Sequence, residues 1–290
     1  MSEQITEATV ILDPLTFQRQ CLAWQRQGER VGMVPTMGAL HEGHLSLVRH
    51  CRRHCDRVVV SIFVNPSQFG PGEDFERYPR TLESDVAALD TVGVDAVLAP
   101  APVDMYGPGF STVVQPAHVA QKLEGQFRPS HYQGVTTIVA KLLNLARADV
   151  AVFGQKDYQQ LAVIRQMVRE LNMPTEILMG ETCRESDGLA MSSRNRYLSA
   201  EERKRALTIS RALFDCRDRV RRGERDAREL AMNLMQELID GGLDSIDYAV
   251  IADGQTLASL DQVGAGAVAL VAGHVGKTRL IDNVLLDHAS

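Results

Sequence analysis

The sequence predicts an α/β fold: a parallel sheet with helices on both faces, followed by a smaller α+β C-terminal domain. Three observations carry this reading. From Val31 to Met179, short β-branched runs exchange steadily with segments of helical apolar spacing, the pattern of strand–helix–strand units. The run Arg57-Val58-Val59-Val60-Ser61-Ile62-Phe63-Val64 lacks polar alternation, as does a strand covered on both faces. Beyond Ser199 the order changes to two helical patterns and then several strand-like ones, which marks a separate unit. The chain of 290 residues suffices for one large domain or two modest ones. The boundary is expected in the loop Arg184–Gly188, giving domains over residues 1–185 and 186–290.

The elements follow in order. An apolar strand starting at Val31 breaks at Pro35 and Gly38, and a helix is entered through Gly43 and His44. In that helix Val48, Cys51 and Cys55 fall at i, i+3, i+7, so the stretch His50–Cys55 reads as an apolar stripe rather than a metal site. The strand Arg57–Val64 runs into Asn65-Pro66-Ser67-Gln68-Phe69. Next come a helix over Leu82–Thr91, a strand over Asp95–Ala99, a Pro/Gly-rich loop over Pro100–Gly109 and a short β-like piece, Ser111–Val114. Val135, Ile138, Leu142 and Leu145 mark a helix before the strand Asp149–Phe153. Leu161, Ile164, Val168 and Leu171 mark another before a strand near Thr175–Met179. Ser199-Ala200-Glu201-Glu202 has the capping-box pattern for a long helix to about Arg222, with Gly223 ending it. A second helix over Asp226–Ile239 stops at Gly241-Gly242, and strand-like segments lie at Ser245–Ala252, Ala267–Ala272 and Thr278–Leu286.

Composition narrows the partners. Hydrophobic residues make up 44% of the chain with no apolar run of spanning length, so no membrane partner is expected. Met1-Ser2-Glu3-Gln4 lacks the basic start and apolar core of a signal peptide, and a cytoplasmic location is the expectation. A net charge of −6 from 31 basic and 37 acidic residues argues against broad capture of nucleic acid, so any phosphate has to be held locally. Arg217, Arg219, Arg221, Arg222 and Arg225 are interrupted by acids and read as a solvated helix face. Five cysteines, an odd number without a paired framework, fit a reduced compartment.

Three clusters carry chemistry. In Thr36-Met37-Gly38-Ala39-Leu40-His41-Glu42-Gly43-His44, two histidines stand three residues apart at a helix start. Unpaired N–H groups there favour an anion, and Gly43 lets a phosphate approach the backbone. A zinc site competes with this reading, but zinc needs three or four ligands and Glu42 faces away from both histidines. An ordinary strand–turn–helix corner competes better, and spacing alone favours it. The second cluster is Gly154-Gln155-Lys156-Asp157-Tyr158-Gln159-Gln160. Asp157 as N-cap with Gln160 three residues on makes a capping box, but capping leaves unexplained a lysine at the helix end that repels cations. The third, Asp187–Asn195, puts Ser192, Ser193 and Arg194 on a glycine-started loop suited to phosphate oxygens, although most such loops are solvated turns. Asn65 and Gln68, at the carboxyl end of a strand, face a substrate in an open parallel sheet or simply start a turn. Gly273-His274-Val275-Gly276-Lys277-Thr278 imitates a phosphate loop, but Val271 stands where its first glycine belongs and a strand follows.

Thr36-x-Gly38-x-x-His41-x-Gly43-His44 resembles the H-x-G-H signature of the nucleotidyltransferase superfamily in the form found in the pantothenate synthetase family. The resemblance extends through Ser61–Pro66, Arg77–Thr81, Phe153–Asp157, Ser192–Asn195 and Arg279–Asn283. It implies a Rossmann-like domain with a C-terminal lid, and a homodimeric cytoplasmic ligase that joins pantoate to β-alanine using ATP and Mg²⁺. By position it implies that Met37, Gly38, Ala39, Leu40, His41, Glu42, Gly43 and His44 line the ATP site, with His44 as catalytic proton donor and His41 near the phosphates. It places Gly154, Gln155, Lys156, Asp157, Cys183, Met191, Ser192, Ser193 and Arg194 in the same site, Lys156 as a catalytic residue. Gln68 and Gln160 would hold pantoate with Asn65 nearby, Arg128 and His131 would lie by the amine, and Asp85 would contact magnesium. Cys183 replaces the usual small aliphatic residue, and Gln133 stands where arginine is frequent. Two other functions fit the motif: a cytidylyl- or adenylyltransferase that keeps the nucleotide in its product, and a nucleotide-binding regulator.

Overall fold

The computed structural model describes residues 8–286; the Met1–Gln4 stretch weighed above lies outside them. The chain divides into two compact units. One runs through Gly154 and includes Val163–Gly180, and the other comprises Gln155–Ala162 and the chain from Glu181. The division after Gly180 precedes the expected 185/186 boundary, and the short segment Gln155–Ala162 belongs with the second unit.

The first unit contains β1 (Thr9–Ile11), α1 (Pro14–Arg26), β2 (Val31–Thr36), α2 (Glu42–Arg52), β3 (Arg57–Ile62), α3 (Leu82–Asp90), β4 (Ala96–Leu98), the single-turn helices α4 (Pro102–Met105) and α5 (Glu124–Phe127), α6 (His131–Ala146), β5 (Val150–Gly154) and β6 (Glu176–Gly180). Helix α7 (Tyr158–Glu170) connects β5 to β6. The six strands are parallel in the order β1-β4-β3-β2-β5-β6. The order reverses between β2 and β5, the switch point at which open parallel sheets bind ligands beyond their carboxyl ends. Val34, Val58, Val60, Val97, Val150 and Val152 form a core with Leu47, Val48 and Cys51 of α2, as expected for strands covered on both faces.

Four local readings change. Pro35 lies inside β2, opposite Ser61 of β3, because the pairing with β5 involves only Gly32 and Met33 and so makes no demand on the missing N–H. The elements β1 and α1 have no counterpart in the sequence reading, although Asp13 capping the Thr16 amide and Pro14 at the first helical position are the signals such a start carries. The loop Pro100–Gly109 contains the turn α4. Ser111–Val114 is not a strand. Val114 bonds instead to two hydroxyls of α6, its N–H donating to Thr137 Oγ1 at 3.0 Å and its carbonyl accepting from Thr136 Oγ1 at 2.7 Å.

The second unit holds α8 (Ala200–Arg221), α9 (Ala227–Asp240) and an antiparallel sheet of β7 (Ser245–Asp253), β8 (Ala267–Val275) and β9 (Thr278–Leu285). Ser199 and Glu202 form the anticipated capping box, and Asp226 caps α9. Leu213, Leu230, Leu234 and Leu238 pack on Ala269 and Val271. The phosphate-loop imitation is the β8–β9 hairpin, with Gly276 at φ +58° in its two-residue turn. The arginine run is spent on neighbours: Arg219 pairs with Asp215 at 2.6 Å and Arg221 with Asp218 at 3.5 Å. Among the described residues no helix is long and apolar enough to cross a membrane.

Candidate active site

The H-x-G-H stretch joins β2 to α2 at the switch point. Gly38 has φ +83° and Ala39 φ +51°, so two consecutive residues occupy the left-handed region, the second without a glycine's freedom. What holds them is Asp85 of α3. Its carboxylate accepts the Ala39 N–H at 3.0 Å, the Leu40 N–H at 2.8 Å and the Thr81 hydroxyl at 3.0 Å. Asp85 is 3% exposed. These bonds give Asp85 a structural task that its reading as a magnesium contact did not include: a buried carboxylate bound to backbone amides anchors the strained turn. Among the described residues no group of three or more His, Cys, Asp or Glu side chains could hold a metal ion.

The histidines cap their own helix. His41 is the N-cap of α2, and its Nδ1 accepts the Gly43 N–H at 3.2 Å, while His44 Nδ1 accepts the His41 N–H at 3.3 Å. The ring centroids lie 4.1 Å apart. Because each Nδ1 is an acceptor, each neutral ring carries its proton on Nε2. The Gly43 amide, expected beside a phosphate, is taken by His41. Glu42 turns its carboxylate along the helix to Arg49.

Beyond β3, Asn65 caps the 3-10 turn Pro66–Gln68. Gly134 of α6 has no side chain where a Cβ would strike the Ser67 backbone, and this close approach lets the Gly134 carbonyl accept from Asn65 Nδ2 at 3.2 Å. Gln68 Nε2 lies 3.2 Å from Met37 Sδ, which places the assigned Gln68 beside the assigned Met37. His131 Nδ1 meets the Gln68 carbonyl at 2.9 Å and His131 Nε2 meets Arg128 Nη1 at 3.2 Å. A carbonyl only accepts, so Nδ1 carries the proton and Nε2 receives the guanidinium. Burial, reinforced by the charge of Arg128, pushes the His131 pKa down to about 4, so the ring is neutral near pH 7. Arg128 grips Glu73 with both arms, at 2.7 and 2.6 Å. Arg128 and His131 thus secure the Gln68 turn, and Glu73 joins the cluster without having been anticipated.

In the second unit, Gln155–Asp157 forms a 3-10 turn leading to Tyr158, with Gln160 in the first turn of α7. Asn283 of β9, 1% exposed, fixes that turn: its Nδ2 donates to the carbonyls of Gln155 and Lys156 at 2.9 and 3.0 Å, and its Oδ1 accepts from Gln155 Nε2 at 3.1 Å. The neighbouring Asp282 binds Arg184 through two bonds of 2.6 and 3.0 Å. Arg184 opens a small hairpin in which the Cys183 carbonyl accepts the Met191 N–H at 2.9 Å. Ser192 then caps Ser193–Tyr197, its Oγ accepting the Arg194 N–H at 3.3 Å. Asp282 and Asn283 were missed as site-building residues. Their signal lay in the terminal stretch Arg279–Asn283, whose polar pair inside a strand needs buried partners.

A doubly wound parallel sheet with two proton-bearing imidazoles at its switch point defines a nucleotide-binding enzyme domain of the H-x-G-H kind. The comparisons specify it further. The family model for pantoate-β-alanine ligase matches residues 9–285. The chain is 50% identical to the pantothenate synthetase of Syntrophotalea carbinolica over 94% of this chain and 97% of that one, and 49% identical to that of Moorella thermoacetica over 96% and 98%. Its structure resembles the crystal structure of pantothenate synthetase from Thermus thermophilus, with a TM-score of 0.91 and 45% identity over 96% of this chain and 99% of that one. It also resembles the pantoate-β-alanine ligase of Francisella tularensis in complex with β-γ ATP and β-alanine, with a TM-score of 0.78 and 32% identity over 96% and 98%. The chain belongs to the pantoate-β-alanine ligase family.

Proposed function

We infer that the chain catalyses the ATP-dependent condensation of pantoate with β-alanine in two steps. In the first, a carboxylate oxygen of pantoate attacks the α-phosphorus of ATP, the bond to the bridging oxygen breaks and pyrophosphate leaves, giving pantoyl adenylate. In the second, the β-alanine amine attacks the acyl carbon, AMP leaves with the electron pair of the C–O bond, and the amine proton is lost to give the amide of pantothenate. The reading is supported above all by the paired histidines at the switch point, whose Nδ1 atoms are fixed by backbone amides so that their protons sit on Nε2.

His44 and His41 would donate hydrogen bonds to phosphate oxygens as charge builds in the first transition state, and Lys156, Ser192, Ser193 and Arg194 would share that task. Met37, Gly38, Ala39, Leu40, Gly154 and Cys183 would line the nucleotide, Gln68 and Gln160 would hold pantoate, and Arg128 and His131 would act by securing the Gln68 turn. ATP is a substrate. Mg²⁺ would neutralise phosphate charge, carried by phosphate oxygens and water as is usual for this ion; no step above requires a protein ligand to it. A homodimer in the cytoplasm is the assembly and location we propose, by similarity to the family.

The test is pyrophosphate–ATP exchange with pantoate present and β-alanine absent, followed by addition of β-alanine. Exchange dependent on pantoate, with AMP and pantothenate formed on adding the amine, is the expected result. A nucleotide conjugate as product would favour a transferase instead, and nucleotide binding without any turnover a regulator.

A further inference from the structure

Asn65 reads from the sequence as a substrate contact, but its amide has no capacity left for one. Its Oδ1 accepts from the Ser67 N–H at 3.3 Å, the Ser67 hydroxyl at 2.8 Å and the Tyr106 hydroxyl at 2.8 Å. Its Nδ2 donates to the Gly134 carbonyl at 3.2 Å and to Gln68 Oε1 at 3.0 Å. An amide nitrogen has two protons to give, and both are placed. The side chain is 1% exposed.

Two partners of this amide have no choice of role and set which way it faces, and the Tyr106 hydroxyl adds a bond that holds it there. The Ser67 N–H only donates and the Gly134 carbonyl only accepts, so a flipped Asn65 would set donor against donor and acceptor against acceptor. With Nδ2 fixed, the Gln68 atom facing it has to be the carbonyl oxygen. The Gln68 amino group is then turned to the opposite side, where it meets the thioether of Met37, a weak acceptor that competes poorly with a substrate oxygen.

We propose that Tyr106 is a positioning residue for pantoate: through the saturated amide of Asn65 its hydroxyl locks Gln68 so that an N–H donor, and not a carbonyl, is presented to the substrate. The proposal rests on the reading of Gln68 as a pantoate contact. A donor there suits pantoate, which offers carboxylate and hydroxyl oxygens. A carbonyl in the same place would repel the carboxylate. Tyr106 is itself held by its ring, packed at 6.2 Å from Phe63 and edge-on at 5.0 Å to Phe110, with the Lys141 ammonium 5.8 Å from its centroid. Its hydroxyl and that of Ser67, 3.1 Å apart, converge on the same Asn65 oxygen.

Tyr106→Phe retains the ring packing and removes only the hydroxyl. The expected result is a rise of about fivefold in KM for pantoate, the equivalent of one lost hydrogen bond, with a much smaller change in kcat and in KM for ATP. Ser67→Ala, which removes another donor to the same oxygen, should shift pantoate KM in the same direction. A double-mutant cycle on pantoate affinity, measured by calorimetry with Tyr106→Phe, Gln68→Ala and the pair, separates positioning from general support. If Tyr106 acts through Gln68, its effect disappears in the Gln68→Ala background. An equal loss in both backgrounds, or unchanged pantoate KM in both Tyr106→Phe and Ser67→Ala, overturns the proposal. Wild-type protein without pantoate-dependent turnover would overturn the underlying reading instead.

Discussion

The two units fix their candidate site side chains by different means. At the start of α2 the wiring is local: His41 and His44 bond to backbone amides within three residues, and only the strained turn before them calls on a distant group, Asp85. In the second unit the wiring is long-range. Asn283 reaches back 128 residues to Gln155, and Asp282 reaches 98 to Arg184. The first arrangement is set as soon as a helix forms. The second exists only once the last strand has joined its sheet.

The largest effect should come from removing the groups these two arrangements aim. His44→Ala and Lys156→Ala are each expected to lower the adenylation rate about a hundredfold or more, because in the proposed function each deletes a donor or charge that meets the developing phosphate charge. Pyrophosphate exchange measures this, with circular dichroism to check the fold. Near-normal exchange in either variant would remove that residue from the mechanism and leave the other unit to carry the chemistry.

Asp85 sharpens the comparison next. Asp85→Asn puts an amide N–H against the Ala39 or Leu40 N–H inside a buried site, and a loss of about 3 kcal/mol in unfolding free energy is expected, together with a raised KM for ATP. Added magnesium should not relieve either change. Rescue by high Mg²⁺ would favour a metal role for Asp85 over the purely structural one.

Much of the fold was legible for the same reason that the first cluster was. Periodicity and caps act over a few residues, so α2, α6, α8 and α9 and most strands could be read from neighbours: Ser199 with Glu202, and Asp226 before α9, are cap signals three residues long. Ser111–Val114 misled because its β-branched residues fit a strand, yet the hydroxyls that claim Val114 sit in α6. The bonds of Asp85 to the Ala39 and Leu40 amides were not legible, since nothing local tells a carboxylate that binds backbone amides from one that binds a metal. Asn283 showed only as a polar residue inside a strand, and the bond of Tyr106 to Asn65 not at all, because their partners lie far along the chain.

His131 offers a smaller effect with a definite sign. Its pKa is pushed from the ordinary value of 6.5 to about 4 by burial and the charge of Arg128. The unfolded chain therefore binds a proton between these values while the folded chain does not. The stability this neutral ring contributes is complete above about pH 6.5 and is lost as pH falls toward 4, by on the order of 2–3 kcal/mol. Denaturant unfolding of wild type and His131→Asn at pH 7 and pH 5 should show the wild type losing more stability on acidification. Equal losses would mean that the ring takes up its proton without disturbing the Gln68 turn.

Asn283→Ala tests the long-range arrangement most gently. The substitution leaves β9 paired with β8 but removes both donors to the Gln155 and Lys156 carbonyls and the acceptor for Gln155 Nε2. Water can replace some of these bonds at a turn, so the expected loss is about fivefold in kcat/KM for ATP, near 1 kcal/mol. The loss should be absent in a Lys156→Ala background if the tie serves to aim the lysine. If it persists there, Asn283 supports the second unit as a whole, and the contrast between local and long-range wiring would concern stability and not the placement of charge.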